Sequence, residues 1–131
     1  MKDTTHSQGK RKRAVARATL RKGTGKVMVN GLALSNHKDR VIQLRVMEPI
    51  LLAQELAQNV DITVNVMGGG VNGQADAARL AIARALVEYD PKLKPTFYQY
   101  DRLLLVADIR RKETRKPNDS KARAKRQKSY R

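Results

Sequence analysis

The two ends of this 131-residue chain are strongly cationic and its middle is not. Residues 1–26 hold nine basic residues and one acid, residues 109–131 hold eleven and two, and residues 27–108 hold eight and nine. Essentially all of the formal net charge of +16 therefore lies in two terminal stretches around a near-neutral centre. From residue 112 onward only Ala122, Ala124 and Tyr130 are apolar. Such a segment cannot offset its ordering entropy by burial, and its like charges repel. Fully extended, its twenty residues reach roughly 65 Å at about 3.3 Å each, further than a small domain is wide. The core must come from the centre, which has the length for one compact domain. This divides the chain into a flexible basic arm over 1–9, a globular domain over 10–110 and an extended basic tail over 111–131.

The same distribution narrows the function. A polyanion would neutralise the tail and order it while releasing counterions, so two basic ends flanking a neutral domain point to nucleic acid. Arg and Lys dominate and aromatic residues make up only 4% of the chain, so phosphate and shape recognition should outweigh sequence reading. With no cysteine, disulfides, thiolate metal sites and Cys nucleophiles are excluded. His6 and His37 are the only histidines, and neither has a carboxylate at ligand spacing, which argues against zinc and against His-based acid–base catalysis. No apolar run approaches the roughly 20 residues needed to cross a bilayer, and the first twenty residues lack the apolar stretch of a secretory signal.

Within the centre, Ala14 to Arg21 alternates and reads as a strand. Lys22-Gly23-Thr24-Gly25 is a turn, and Lys26 to Asn30 is a second short strand, so the pair is expected to form a hairpin. Asp39 to Met47 reads as a short helix that Pro49 ends, with Pro49 in the first turn of a second helix over Ile50 to Gln58. Asp61 to Met67 places Ile62, Val64 and Val66 on one face of a strand. Gly73 to Glu88 carries Ala78, Ala81, Ile82, Ala85 and Leu86 as a helical stripe, with Asp76, Arg84 and Glu88 outside it. Leu103 to Ile109 is a continuous apolar run of the kind a buried strand shows. Strands and helices in this order argue a small α+β domain, one sheet covered by helices on one face.

Two glycine motifs invite enzymatic readings. Gly68, Gly70 and Gly73 stand at the spacing of a dinucleotide fingerprint, after a strand and before a helix. The confirming acid at the end of the next strand is missing, since the nearest acids, Glu88 and Asp90, lie at a helix end before Pro91. Gly23-Thr24-Gly25-Lys26 lacks the first glycine and the hydroxyl residue of a phosphate loop. The glycines instead let the backbone turn tightly from strand to helix. A further expectation is that their N–H groups, near the positive end of the helix dipole, hold an RNA phosphate. No nucleophile, base and oxyanion donors assemble, so the chain reads as a non-enzyme without cofactor, metal or small-molecule substrate. A free-standing nucleic-acid-packing protein is the rival reading, because packing needs only charge.

The stretch GGGVNGQADAARLAIARALVEYDP over 68–91 resembles the signature of the universal small-subunit ribosomal protein nine family. GKRKRAVARATLRKGTGKVMVNG over 9–31 is similar to its N-terminal hairpin, and the ending Lys128-Ser129-Tyr130-Arg131 resembles archaeal and eukaryotic members. The resemblance implies the two-layer α+β sandwich of the second domain of small-subunit ribosomal protein five, with one mixed sheet and a left-handed β-α-β crossover. It implies a cytoplasmic, ribosome-bound protein in the head of the small subunit, with small-subunit rRNA, neighbouring head proteins and peptidyl-site tRNA as partners. Arg131 stands at the family's tRNA-approaching terminal position, with Lys128 and Tyr130 as the other tRNA candidates. Tyr130 stands where bacterial members commonly have Lys, so stacking would replace phosphate pairing there. The candidate rRNA contacts are Lys10, Arg11, Lys12, Arg13 and Arg17 near the N-terminus, Gly68, Gly69, Gly70 and Gln74 at the glycine turn, and Arg110, Arg111, Lys112, Arg115, Lys116, Lys121, Arg123, Lys125 and Arg126 along the tail.

Overall fold

The computed structural model describes residues 3–130. Alternation of inward and outward side chains builds five strands: β1 (Thr4–Arg11), β2 (Ala14–Lys22), β3 (Val27–Val29), β4 (Leu32–Ala33) and β5 (Val60–Met67). The helices are α1 (Arg40–Ala53), α2 (Glu55–Gln58), α3 (Val71–Tyr89) and α4 (Lys94–Tyr100). One sheet of order β1-β2-β5-β3-β4 results, antiparallel except for the β3–β5 pair, whose connection through α1 and α2 is a β-α-β crossover. Helix α3 packs across β1, β2 and β5, and α1 packs beside α3. The core between the layers is Ala14, Ala16, Ala18 and Leu20 of β2, Ile62 and Val64 of β5, and the Ala77, Ala78, Ala81, Ile82, Ala85 and Leu86 stripe of α3. This is an α+β two-layer sandwich, and α3 and β5 fall where their periodicity puts them.

Four local expectations are corrected. Residues 4–11 are an edge strand in full register with β2, from Thr4 opposite Arg21 to Arg11 opposite Ala14, so the flexible arm over 1–9 does not hold for them. Their inward side chains are small or polar, Thr5, Ser7 and Gly9, and carry no hydrophobic signal. Gly9 is needed there: a Cβ on it would stand 2.2 Å from the Ala77 carbonyl oxygen and 2.7 Å from the Ala81 nitrogen. Strands β2 and β3 form no hairpin, because β5 lies between them. The Lys22–Lys26 loop is drawn over the end of β5 by Asp61, whose Oδ1 accepts from the Thr24 and Lys26 N–H groups, and β3 emerges beyond β5 running parallel to it.

Pro49 does not end α1. Its missing N–H breaks one ladder bond, but its ring is buried in line with Ile42, Val46 and Ala53 on one face of the helix. The chain turns instead at Gln54, at φ 49°. Leu103 to Ile109 is not a strand. A 3-10 turn over Arg102–Leu104, its first N–H groups met by Asp101, tucks Leu104 into the core, and Ile109 is 88% exposed. No helix or strand follows Leu104 among the described residues, and nearly every side chain from Ile109 to Tyr130 is exposed.

Candidate nucleic-acid interface

Three segments far apart in sequence meet at one end of the sandwich. The β1–β2 turn contributes Arg11, Lys12 and Arg13, the loop entering α3 contributes Gly69, Gly70, Val71, Asn72 and Gly73, and the chain leaving the domain contributes Arg110, Arg111, Lys112, Glu113 and Thr114. Together they line an open groove of about 1100 Å³. Six of these side chains are cationic and one is acidic, so the field in the groove favours anions.

Local geometry explains the convergence. Lys12 takes a left-handed conformation at φ 53°, which lets Arg11 and Ala14 pair across a two-residue turn. Gly68 passes that turn at φ 77°, where an added Cβ would lie 2.7 Å from the Arg13 carbonyl oxygen. Gly70 then caps α3 without a side-chain partner for the first-turn N–H groups, and no atom lies within 4 Å of where its Cβ would be. Those N–H groups carry the positive end of a 19-residue helix toward the groove.

The root of the tail is fixed by ion pairs that no sequence motif indicates. Asp108 accepts from the Arg110 backbone N–H at 3.0 Å and from its guanidinium at 2.7–3.1 Å. Arg11 Nη1 lies 2.8 Å from the same carboxylate, a charge contact without hydrogen-bond alignment. The Arg110 bonds, with Arg11 beside them, hold the Asp108 carboxyl far below the usual carboxylate range. Arg84 of α3 donates from Nε to the Leu105 carbonyl and from Nη1 to the Gln8 carbonyl, both at 3.1 Å, and so ties the departing chain to β1. Below the groove, Arg79, with its side chain 7% exposed, bridges Glu48 and Asp101 at 2.5 and 3.0 Å. Arg84 falls outside the apolar stripe in sequence, which marks its face but not its partners.

The candidate residues thus divide. Lys12, Arg13, Arg111 and Lys112 are exposed in the groove and make no ion pair among the described residues. Arg11 is half-buried and engaged with Asp108 and, at 3.8 Å, Asp76, contacts that join the β1–β2 turn to the tail root. Gln74 donates to the Gly68 carbonyl at 3.1 Å and shapes the glycine loop. Lys10 and Arg17 lie on the strands, outside the groove. In the tail, Arg123 is held by Glu113, while Arg115, Lys116, Lys121, Lys125, Arg126, Lys128 and Tyr130 are exposed. Arg131 lies outside the described residues. Among the described residues no group of carboxylates and histidines could hold a metal ion, and no helix is long and apolar enough to cross a membrane.

Fold and site together define an α+β module with an anion-attracting groove where two basic segments meet. Comparison with known proteins gives the class a family. The family described as ribosomal protein S9/S16 matches residues 9–131, and the chain belongs to it. It is 53% identical over 125 residues to the small ribosomal subunit protein uS9 of Thermoplasma acidophilum, covering 94% of this chain and 97% of that one. It is 47% identical over 130 residues to the uS9 protein of Methanococcus maripaludis, covering 96% and 97%. The uS9 protein of Picrophilus torridus is 47% identical over 133 residues and covered from end to end. The family is structural and non-enzymatic, which agrees with the absence of catalytic motifs in the sequence.

Proposed function

We propose that this chain is a structural constituent of the head of the small ribosomal subunit, cytoplasmic and ribosome-bound, that holds small-subunit rRNA in its cationic groove. The tail carries further phosphate contacts outward and ends near the peptidyl-site tRNA. The observation that carries the reading is the meeting of Lys12, Arg13, Arg111 and Lys112, all without ion partners among the described residues, around the open N-terminus of α3. Neutral packing and internal ion pairs make the domain a rigid mount. The groove cations then act where folded rRNA brings phosphates together, and Lys128, Tyr130 and Arg131 reach the tRNA.

Sedimentation of the tagged full chain from lysate in a high-salt sucrose gradient tests this. Comigration with the small subunit at one copy per particle is expected, because charge-driven hitchhikers are stripped as salt rises. Release into light fractions would leave a free nucleic-acid-packing protein and overturn the assignment. For the tail tip, Arg131→Ala is expected to leave assembly normal and to loosen peptidyl-site tRNA modestly. An assembly defect from that single change would refute its role.

A further inference from the structure

We propose that the sheet face opposite the helices is a second RNA-contacting surface, shaped for the shallow minor groove of an A-form rRNA duplex; this rests on the rRNA-binding role proposed above. Strand register sorts the side chains. Residues 14, 16, 18 and 20 of β2 and 60, 62, 64 and 66 of β5 are buried under the helices, while their alternates face away. Across β1, β2 and β5 the outward rows are His6–Thr19–Thr63, Gln8–Arg17–Asn65 and Lys10–Val15–Met67. Every residue in them is exposed or half-exposed.

The chemistry of this face selects its occupant. Lys10, Arg17 and Arg21 give it three cations, and its one carboxylate, Asp61, is engaged by the Thr24 and Lys26 backbone N–H groups. Three cations against one engaged carboxylate make the face cationic, which complements a phosphate backbone. No Phe, Tyr or Trp stands on it, since the one Phe and four Tyr lie in helices and tail, and its single imidazole, His6, is hydrogen-bonded to Thr19, so it offers little platform for unstacked bases. Between the cations stand short hydrogen-bonding groups, Thr19, Thr63 and Asn65. The three rows span about 13 Å along the strands, and Arg21 extends the face to about 20 Å. A surface of hydroxyls and amides with cations among them, bordered by Val15 and Met67, matches the RNA minor groove, which is shallow and displays 2′-hydroxyls. A DNA duplex lacks those hydroxyls.

The test uses the full chain with an RNA duplex and a DNA duplex of the same sequence. Thr63→Val with Asn65→Leu removes polar groups and no charge, and the exposed positions are checked for folding by thermal melting. RNA-duplex affinity is expected to fall about two- to tenfold per lost hydrogen bond. DNA affinity and the salt slope should stay unchanged. Equal loss on RNA and DNA, or no loss on either, would overturn the proposal. A photo-crosslinking side chain at position 63 of the assembled subunit should capture rRNA; capture of a protein, or of nothing, would also overturn it. Failure of the unmodified chain to comigrate with the small subunit would instead refute the underlying rRNA-binding role.

Discussion

Gly9→Ala is the most sensitive probe of how the interface is built. Strand β1 lies so close beneath α3 that the added methyl would sit 2.2 Å from the Ala77 carbonyl oxygen and 2.7 Å from the Ala81 nitrogen. Both are backbone atoms of a continuous helix, so no rotamer change relieves the clash, and strand and helix must separate. Overpacking of this kind costs about 1–3 kcal/mol, and a backbone obstacle places the change near about 3 kcal/mol. For a domain of this size that is a drop in Tm on the order of 10–20 °C. The consequence reaches the groove, because β1 carries Arg11 to Asp108 and the Gln8 carbonyl to Arg84. Thermal unfolding followed by circular dichroism measures the first effect, and proteolysis of the chain after Leu105 the second. A Tm within 2 °C of the parent would refute the close strand–helix approach.

Three further outcomes follow from the same geometry. Gly70→Asp should hold or raise Tm, since Asp is a strong N-cap for α3, while weakening RNA association by placing a carboxylate at the groove. If binding is unchanged, the N-terminus of α3 takes no phosphate. Arg84→Met removes two bonds to the Leu105 and Gln8 carbonyls and should cost about 1–3 kcal/mol, read as a lower denaturant midpoint with earlier cleavage after Leu105. The Asp61 carboxyl is held below its ordinary value by the Lys26 and Thr24 N–H groups. Its stabilising effect is thus present above the unfolded value of 3.8 and lost as pH falls through the lower folded value. Melting curves from about pH 6 to about pH 2 should show a shallower acid loss in Asp61→Asn.

The elements that read clearly from sequence are those whose buried face is apolar in a regular period. Helix α3 declares itself through Ala78, Ala81, Ile82, Ala85 and Leu86, and β5 through Ile62, Val64 and Val66. Strand β1 does not, because close approach to α3 demands Gly9, and its other inward residues, Thr5 and Ser7, are polar and carry no apolar signal. Pro49 misleads for the opposite reason: burial of its ring compensates for the helix bond it cannot make. The Leu103–Ile109 run looks like a strand, yet only Leu104 is fully buried. At the site, the basic residues are plain in the sequence, and which of them remain unpaired is not. Arg11, Arg110 and Arg123 are matched by Asp108 and Glu113 through tertiary or loop contacts. Only the folded chain brings Lys12 and Arg13 beside Arg111 and Lys112.

This groove is proposed to bind RNA through its unpaired cations. Its most direct test is the salt dependence of binding to a small-subunit rRNA transcript, comparing the full chain with a Lys12→Gln, Arg13→Gln, Arg111→Gln variant. Each phosphate contact contributes about 0.7–0.9 to the slope of log K against log salt, so the variant's slope should be shallower by about two to three. A slope that changes by less than about one, in a variant that melts like the parent, would show that these cations do not bind phosphate.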